Sequence, residues 1–220
     1  MKLPDLHARL LADVLAIGAP YPLVLTGGYA VQAHEIVDRP SQDLDVATES
    51  SAPMQDIAAT VSSGLTERGW QVQALEVAPL AARFTVTDPR GDGQVEVDVL
   101  KEVFTRPVVY LRHGPVLAEE DVIGTKVRAL AERGAARDFI DVYAASSRWT
   151  HNDFEELARR HARERFGLDD LHARLEGLAW TDDVEFAAYG LRDDRIDQLR
   201  RYFQRWAADL GMRLAAPYEE

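Results

Sequence analysis

The chain of 220 residues contains no cysteine. Neither a disulfide framework nor a thiolate metal site is therefore available, and a reducing cytoplasm is the simplest address. Long apolar runs are missing too. No window approaches the ~18 apolar residues of a membrane span, and the opening "MKLPDLHARLLADVL" carries acids and an arginine through its apolar positions. Neither an export signal nor a membrane-inserted segment is expected. Positive charge is scarce, with 25 Lys and Arg against 37 Asp and Glu for a formal net charge of -12. That deficit argues against broad, salt-driven adhesion to nucleic acid, while leaving room for a local basic groove. The six histidines lack the H-x-x-x-H or H-x-H spacing of a ligand set, so no zinc site is expected. No internal repeat or low-complexity tract is present.

What is there is a chain that is 46% hydrophobic, enough for one sizeable core or for a core domain with a smaller helical partner. "LHARLLADVLAIG" spaces Leu6, Leu10, Val14 and Ile17 as a helix face, closed by Gly18 and Pro20. "YPLVLTG" then reads as a short strand, "GYAVQAHEIV" as about ten residues of helix, and "DRPSQ" as the breaker that turns the chain back. After "DLDVAT", Met54, Ile57, Val61 and Leu65 mark another helix. Three β-like runs follow, "WQVQALEV", "ARFTVTDP" and "QVEVDVL", the last two joined through the turn "DPRGDG". From "LAEEDVIGTKVRALAERG" onward the pattern is helical. The expected architecture is thus α+β: a small mixed sheet with flanking helices over residues 1–118, then a helical region over 119–220.

The sequence "DLDV" raises a problem of charge. Residues i and i+2 of a strand share a face about 7 Å apart, so Asp43 and Asp45 stand side by side while Leu44 and Val46 turn to the core. Solvation on an edge strand accounts for such a pair in isolation, as does a divalent cation between the two carboxylates. Three neighbouring features favour the cation. Gly27 and Gly28 stand at a strand-to-helix turn, where bare backbone N–H groups can approach a phosphate. The helix and breaker between them and the acids return the second strand beside the first. In "QVEVDVL", Asp98 lies on the strand face opposite Val95, Val97 and Val99, and it becomes a third carboxylate if that strand neighbours "DLDV". Oxygen donors of this kind suit Mg²⁺ and phosphoryl chemistry.

"GG", "DLD" after fourteen residues and a separate "VDVL" strand resemble the nucleotidyltransferase core of the DNA polymerase beta superfamily. "KVRALAERGAARDFIDVYA" and "DRPSQDLD" narrow the resemblance to the AbiEii/AbiGii abortive-infection toxins. The likeness runs over about residues 23–145. It implies a nucleotidyltransferase that moves a nucleoside monophosphate from an NTP to a hydroxyl, with RNA, particularly the tRNA 3′ end, as acceptor and an antitoxin as partner. It implies that Asp43, Asp45 and Asp98 hold Mg²⁺, with Asp98 also placed to accept the attacking hydroxyl's proton. Gly27 and Gly28 would then receive the triphosphate, and Lys126 would contact the nucleotide. Asp141 becomes a site residue, Arg137 a phosphate or structural partner, and Arg39 a further nucleotide-binding candidate. The helical region would complete the nucleotide and acceptor cleft. Many relatives carry Ser where this chain has Gly28, and Thr26 or Tyr29 are candidates to compensate.

Blander readings stand beside these. Lys126 can snorkel over an apolar stripe, and Arg137 with Asp141 can form a surface i, i+4 ion pair. The arginines and aromatics of "RWTHNDFEELARRHARERF" and "RIDQLRRYFQRW" suit unpaired bases. Leu199, Tyr202, Phe203 and Trp206 equally match the core stripe of an amphipathic helix. "GGYAVQAH" before "DLDV" also resembles antibiotic-modifying nucleotidyltransferases, and a catalytically silent nucleotide-binding protein is the rival from another class.

Overall fold

The computed structural model describes residues 3–91, 93–162 and 166–216. The chain divides into two compact units, Met1–Val122 and Ile123–Glu220.

The first unit begins with α1 (Asp5–Ile17), which buries Leu10, Leu11 and Val14. A two-residue strand, β1 (Val24–Leu25), leads into α2 (Gly27–Ala33). After a breaker come β2 (Leu44–Thr48) and α3 (Met54–Glu67), which buries the expected Met54, Ile57, Val61 and Leu65. A meander follows of β3 (Gln71–Ala78), β4 (Ala81–Thr87) and β5 (Gln94–Lys101). The β4–β5 turn closes with Asp88 N–H donating to Gly93 O at 2.9 Å. Asp92 of the expected "DPRGDG" turn lies outside the described residues. The sheet is mixed and seven-stranded, in the order β3-β4-β5-β2-β1 followed by a small hairpin, β7 (Gly114–Val116) and β6 (Val109–Leu111). The expected mixed sheet with flanking helices is the fold found. The hairpin is additional: two three-residue strands are too short to show an alternating pattern.

Helix α2 is seven residues long where ten are expected. His34 caps it, and Glu35 takes a left-handed conformation with φ of 57°. Glu35 N–H donates to Gln32 O at 3.0 Å and Ile36 N–H to Val31 O at 3.2 Å. Those two bonds are the double closure of a Schellman end, usually built on glycine. "HEIV" therefore carries helix-forming residues past a stop that no glycine announces.

Alternation sorts the two sheet faces. Ala82, Phe84 and Val86 of β4 are buried, as are Val95, Val97 and Val99 of β5, which leaves Arg83, Glu96 and Asp98 on the opposite side. β2 runs antiparallel to β1 and parallel to β5.

Helix α4 (Glu119–Glu132) opens with Glu119, Glu120 and Asp121, as the helix dipole favours, and continues into the second unit. There it is followed by α5 (Ala136–Ala145), α6 (His151–Arg160), α7 (Leu168–Gly177), a 3₁₀ turn (Leu178–Trp180), α8 (Asp183–Ala187) and α9 (Asp193–Ala215). Thr150 starts α6 in a reciprocal capping box with Asp153. The core stripe of α9 is Ile196, Leu199, Phe203, Trp206 and Leu210, all buried. Phe203 meets Phe139 of α5 edge-on at 4.9 Å. Phe203 and Trp206 are thus packing residues with no free ring face to offer a base. Of the arginine-rich stretch in "RRHARERF", residues 163–165 lie outside the described residues. Among the described residues no helix is long and apolar enough to cross a membrane.

Candidate active site

The acids of the first unit are brought together by strand register. In the parallel β2–β5 pair, Asp45 stands opposite Asp98, so the two carboxylates share a face one inter-strand spacing apart, about 4.8 Å between backbones. Asp43 lies just before β2. Its negative charge acts on His7, Tyr29 and Arg83.

The paired glycines open α2 beside these acids. Gly27 has φ of +63°, a conformation that disfavours any side chain, and a Cβ there would fall on the Asp45 carboxylate. Asp45 therefore rests against the backbone at the start of α2, an approach only glycine permits. Thr26 N–H fixes the same junction by donating to Asp45 O at 2.9 Å. At Gly28 a Cβ would meet the Ser41 hydroxyl, with an Arg39 Nη2 at 3.4 Å. Arg39 is buried and donates through Nη1 to Pro40 O at 3.0 Å. The Ser41 hydroxyl thus occupies the space a side chain at position 28 would need. The Tyr29 phenol donates to Ser41 O at 2.8 Å and sits 2.7 Å from His7 Nδ1. Burial, reinforced by Asp43, pushes the Tyr29 phenol up to about 12. Burial also lowers the His7 pKa, against the opposing pull of Asp43. Thr26 is buried and its side chain makes no capping bond to α2.

Arg83 is the residue that sequence reasoning missed. It faces Asp98 across the antiparallel β4–β5 pair and donates Nε to Oδ1 and Nη2 to Oδ2, both at 2.7 Å. Its Nε is also 3.3 Å from Glu96 Oε1. The Asp98 hydrogen bonds, with the fields of Asp98, Glu96 and Asp43, raise the guanidinium pKa further. Asp98 is thus a carboxylate with both oxygens engaged, and among the described residues no group of three or more His, Asp or Glu is gathered to hold a metal ion. The signal for Arg83 exists in "ARFTVTDP" only once β4 is registered against β5.

In the second unit, Lys126 of α4 and Asp141 of α5 form an ion pair at 3.0 Å, with side chains 8% and 0% exposed. This corrects two of the bland readings. Lys126 does not snorkel to water, and Asp141 is no surface partner. Two buried charges survive in an apolar interior only by pairing. Arg137 is half-buried on α5. The neighbouring Asp138, fully buried, takes both forks of Arg133 at 2.8 Å.

The family model described as "Nucleotidyl transferase AbiEii toxin, Type IV TA system" matches residues 9–212. The chain belongs to the AbiEii family. It is a nucleotidyltransferase, of the toxin component of a toxin–antitoxin system. No curated protein matches it. Among solved structures it is similar to the nucleotidyltransferase toxin MenT4 from Mycobacterium tuberculosis H37Rv, at 18% identity and a TM-score of 0.57, covering 91% of this chain and 87% of that one. It is also similar to JHP933 from Helicobacter pylori, at 17% identity and a TM-score of 0.52, covering 96% of each chain. At such identities the likeness is one of fold.

Proposed function

We propose that this AbiEii protein transfers a nucleoside monophosphate from an NTP to a hydroxyl at the 3′ end of RNA, tRNA being the favoured acceptor. Pyrophosphate leaves by in-line displacement. The reading rests on one observation above others: the β2–β5 register sets Asp45 beside Asp98 while Gly27 leaves room for the Asp45 carboxylate against α2.

The chemistry of the donors, rather than a gathered ligand group, is what suits Mg²⁺. The donor set is made of carboxylate oxygens, the type that Mg²⁺ prefers, and a cation, the Arg83 guanidinium, already rests on Asp98. Asp43, Asp45 and Asp98 would hold the metal. When bound, it would neutralise charge on the triphosphate and acidify the attacking hydroxyl. Asp98 is the carboxylate assigned to receive that hydroxyl's proton. Gly27 and Gly28 present backbone to the triphosphate, the Ser41 hydroxyl stands beside Gly28, and Arg39 supplies positive charge beside them. In the helical region, taken as beginning near residue 119, Lys126 contacts the nucleotide, Asp141 holds its ammonium in place, and Arg137 serves phosphate. A protein antitoxin and a cytoplasmic supply of NTPs complete the system.

The test is transfer of label from each NTP, with Mg²⁺, to total RNA or to a panel of aminoglycosides and lincosamides, comparing the wild type with Asp45→Ala. Label on RNA that the variant fails to transfer supports the reading. Label on a drug converts the protein to a resistance enzyme, and transfer that survives in Asp45→Ala removes the metal-ligand role. NTP binding without transfer leaves a silent nucleotide-binding protein.

A further inference from the structure

Within the second unit, α7, the 3₁₀ turn and α9 line an open groove of about 530 Å³, a volume in the range of built binding sites. Its floor is apolar, formed by Leu175 of α7, Leu178 of the turn and Ala207 of α9. The fold fixes both ends. At one, Arg200 donates to Leu178 O at 2.6 Å, to Thr181 O at 2.5 Å and to Asp183 Oδ1 at 2.6 Å, and its guanidinium lies 5.5 Å from the Phe186 ring. At the other, the His172 ring rests on Gly211, where a Cβ would fall 2.8 Å from Nε2. Between these ends α9 advances about 16 Å, or about three helical turns. A groove already braced in this way loses little order when it is filled.

The lips differ from the floor in exposure and in charge. Trp180, next in the chain to the lining residue Ala179, is 89% exposed, and Met212, four residues beyond the lining Ala208, is 69% exposed. An aromatic ring and a thioether left in water beside an apolar groove mark an interaction surface. From Glu176 to Glu185 the chain holds Glu176, Asp182, Asp183 and Glu185 and no basic residue. Arg200 compensates Asp183. Arg205 lies on the other flank of α9, where its field reaches His151 and Tyr202, and Arg213 is engaged by Glu155. Exposed Arg201 stands against the three remaining acids, so the lip stays anionic.

We propose that this groove receives an amphipathic helix of a protein partner, with basic residues on the flank that meets Glu176, Asp182 and Glu185. A groove of this length accepts apolar side chains at i, i+3 or i+4, and i+7 of such a helix. Trp180 is the anchor, since tryptophan is the type most enriched where binding energy concentrates. The acids steer a basic flank into place and oppose the phosphates of a nucleic acid. None of the residues given a part in nucleotidyl transfer lines the groove, so the inference stands apart from that reading.

The experiment titrates the full chain with a synthetic peptide of about 15 residues, free of tryptophan, with Leu at i, i+3, i+4 and i+7 and Lys elsewhere. A second peptide carries Glu in place of Lys. Binding is read by calorimetry and by tryptophan emission at about 0.15 M salt, for the wild type, Trp180→Ser and Ala208→Arg. Both substitutions are at exposed positions, and thermal midpoints check that each variant is folded. The wild type is expected to bind the Lys peptide with a shift of emission to shorter wavelength, and to bind the Glu peptide at least about tenfold more weakly. Each variant is expected to lose about tenfold or more in affinity for the Lys peptide. Absence of binding to the wild type overturns the inference. Undiminished affinity in either variant also overturns it, by reducing the binding to general attraction of a cation to a chain of net charge -12. Equal affinity for the Glu peptide removes the basic partner. If Ala208→Arg lowers the thermal midpoint, Trp180→Ser decides alone.

Discussion

Lys126 and Asp141 show what a single buried pair demands. At 3.0 Å and with almost no exposure, the two charges compensate each other in the interior. Asp141→Asn leaves the ammonium without its counter-charge. Urea unfolding followed by tryptophan fluorescence should then show a loss of about 3–5 kcal/mol. A loss below about 1 kcal/mol, the range of exposed pairs, would place the pair in water instead. Replacing both partners, as Lys126→Met with Asp141→Leu, removes two desolvation penalties along with one attraction and is expected to restore much of the stability. Transfer activity should stay lost in the double variant. Stability and activity thereby separate, which no single substitution at either position achieves.

Elements differ in how plainly the sequence declares them. β4 and β5 alternate cleanly, and α3 and α9 keep their buried stripes where the spacing predicts them, because burial on one side leaves a periodic trace. β1, two residues long, and the β6–β7 hairpin leave none, and they are fixed by pairing with distant segments. The candidate site divides the same way. Asp43, Asp45 and the glycines are visible as local spacing, whereas Arg83 and Ser41 acquire meaning only from strand register and from the fold of the breaker over Gly28. The end of α2 belongs with the hidden features. Glu35 at φ of 57° occupies the position where glycine is usual, and a left-handed conformation costs an L-residue about 1–2 kcal/mol. Glu35→Gly is accordingly expected to stabilise the protein by about 1 kcal/mol, less the greater entropy of the unfolded glycine. A raised thermal midpoint checks this, and a lowered one would mean that the Glu35 side chain contributes more than its backbone costs.

For the whole molecule, an excess of twelve negative charges makes acid the natural perturbant, and the titrating groups fall into two sets. His7, His113 and His151 all have lowered pKa values, with burial as the first cause in each. His151 stacks on Trp206 at 4.9 Å and 4°. It lies within the fields of Asp209 and Glu155, which favour its protonation, and of Arg213 and Arg205, which oppose it. A base held neutral in the fold is protonated first in the unfolded chain, so below its ordinary pKa of about 6.5 the unfolded state carries more protons and stability falls as pH falls. Asp153 and Glu156 belong to the second set. Hydrogen bonds from Thr150 lower the first, and those from Arg160 and Arg159 lower the second. Their contribution is present above the usual carboxylate range and disappears as pH drops through their depressed values. The thermal midpoint is therefore expected to be level above about pH 7, to decline gently from about 6.5 through the histidine range, and to drop again below about 4 as the carboxylates take up protons. His151→Gln should flatten the first decline and leave the second in place. An unchanged slope between pH 7 and 5 in that variant would show that His151 titrates alike in the folded and unfolded chain, and that its stacking on Trp206 holds the charged ring as well as the neutral one.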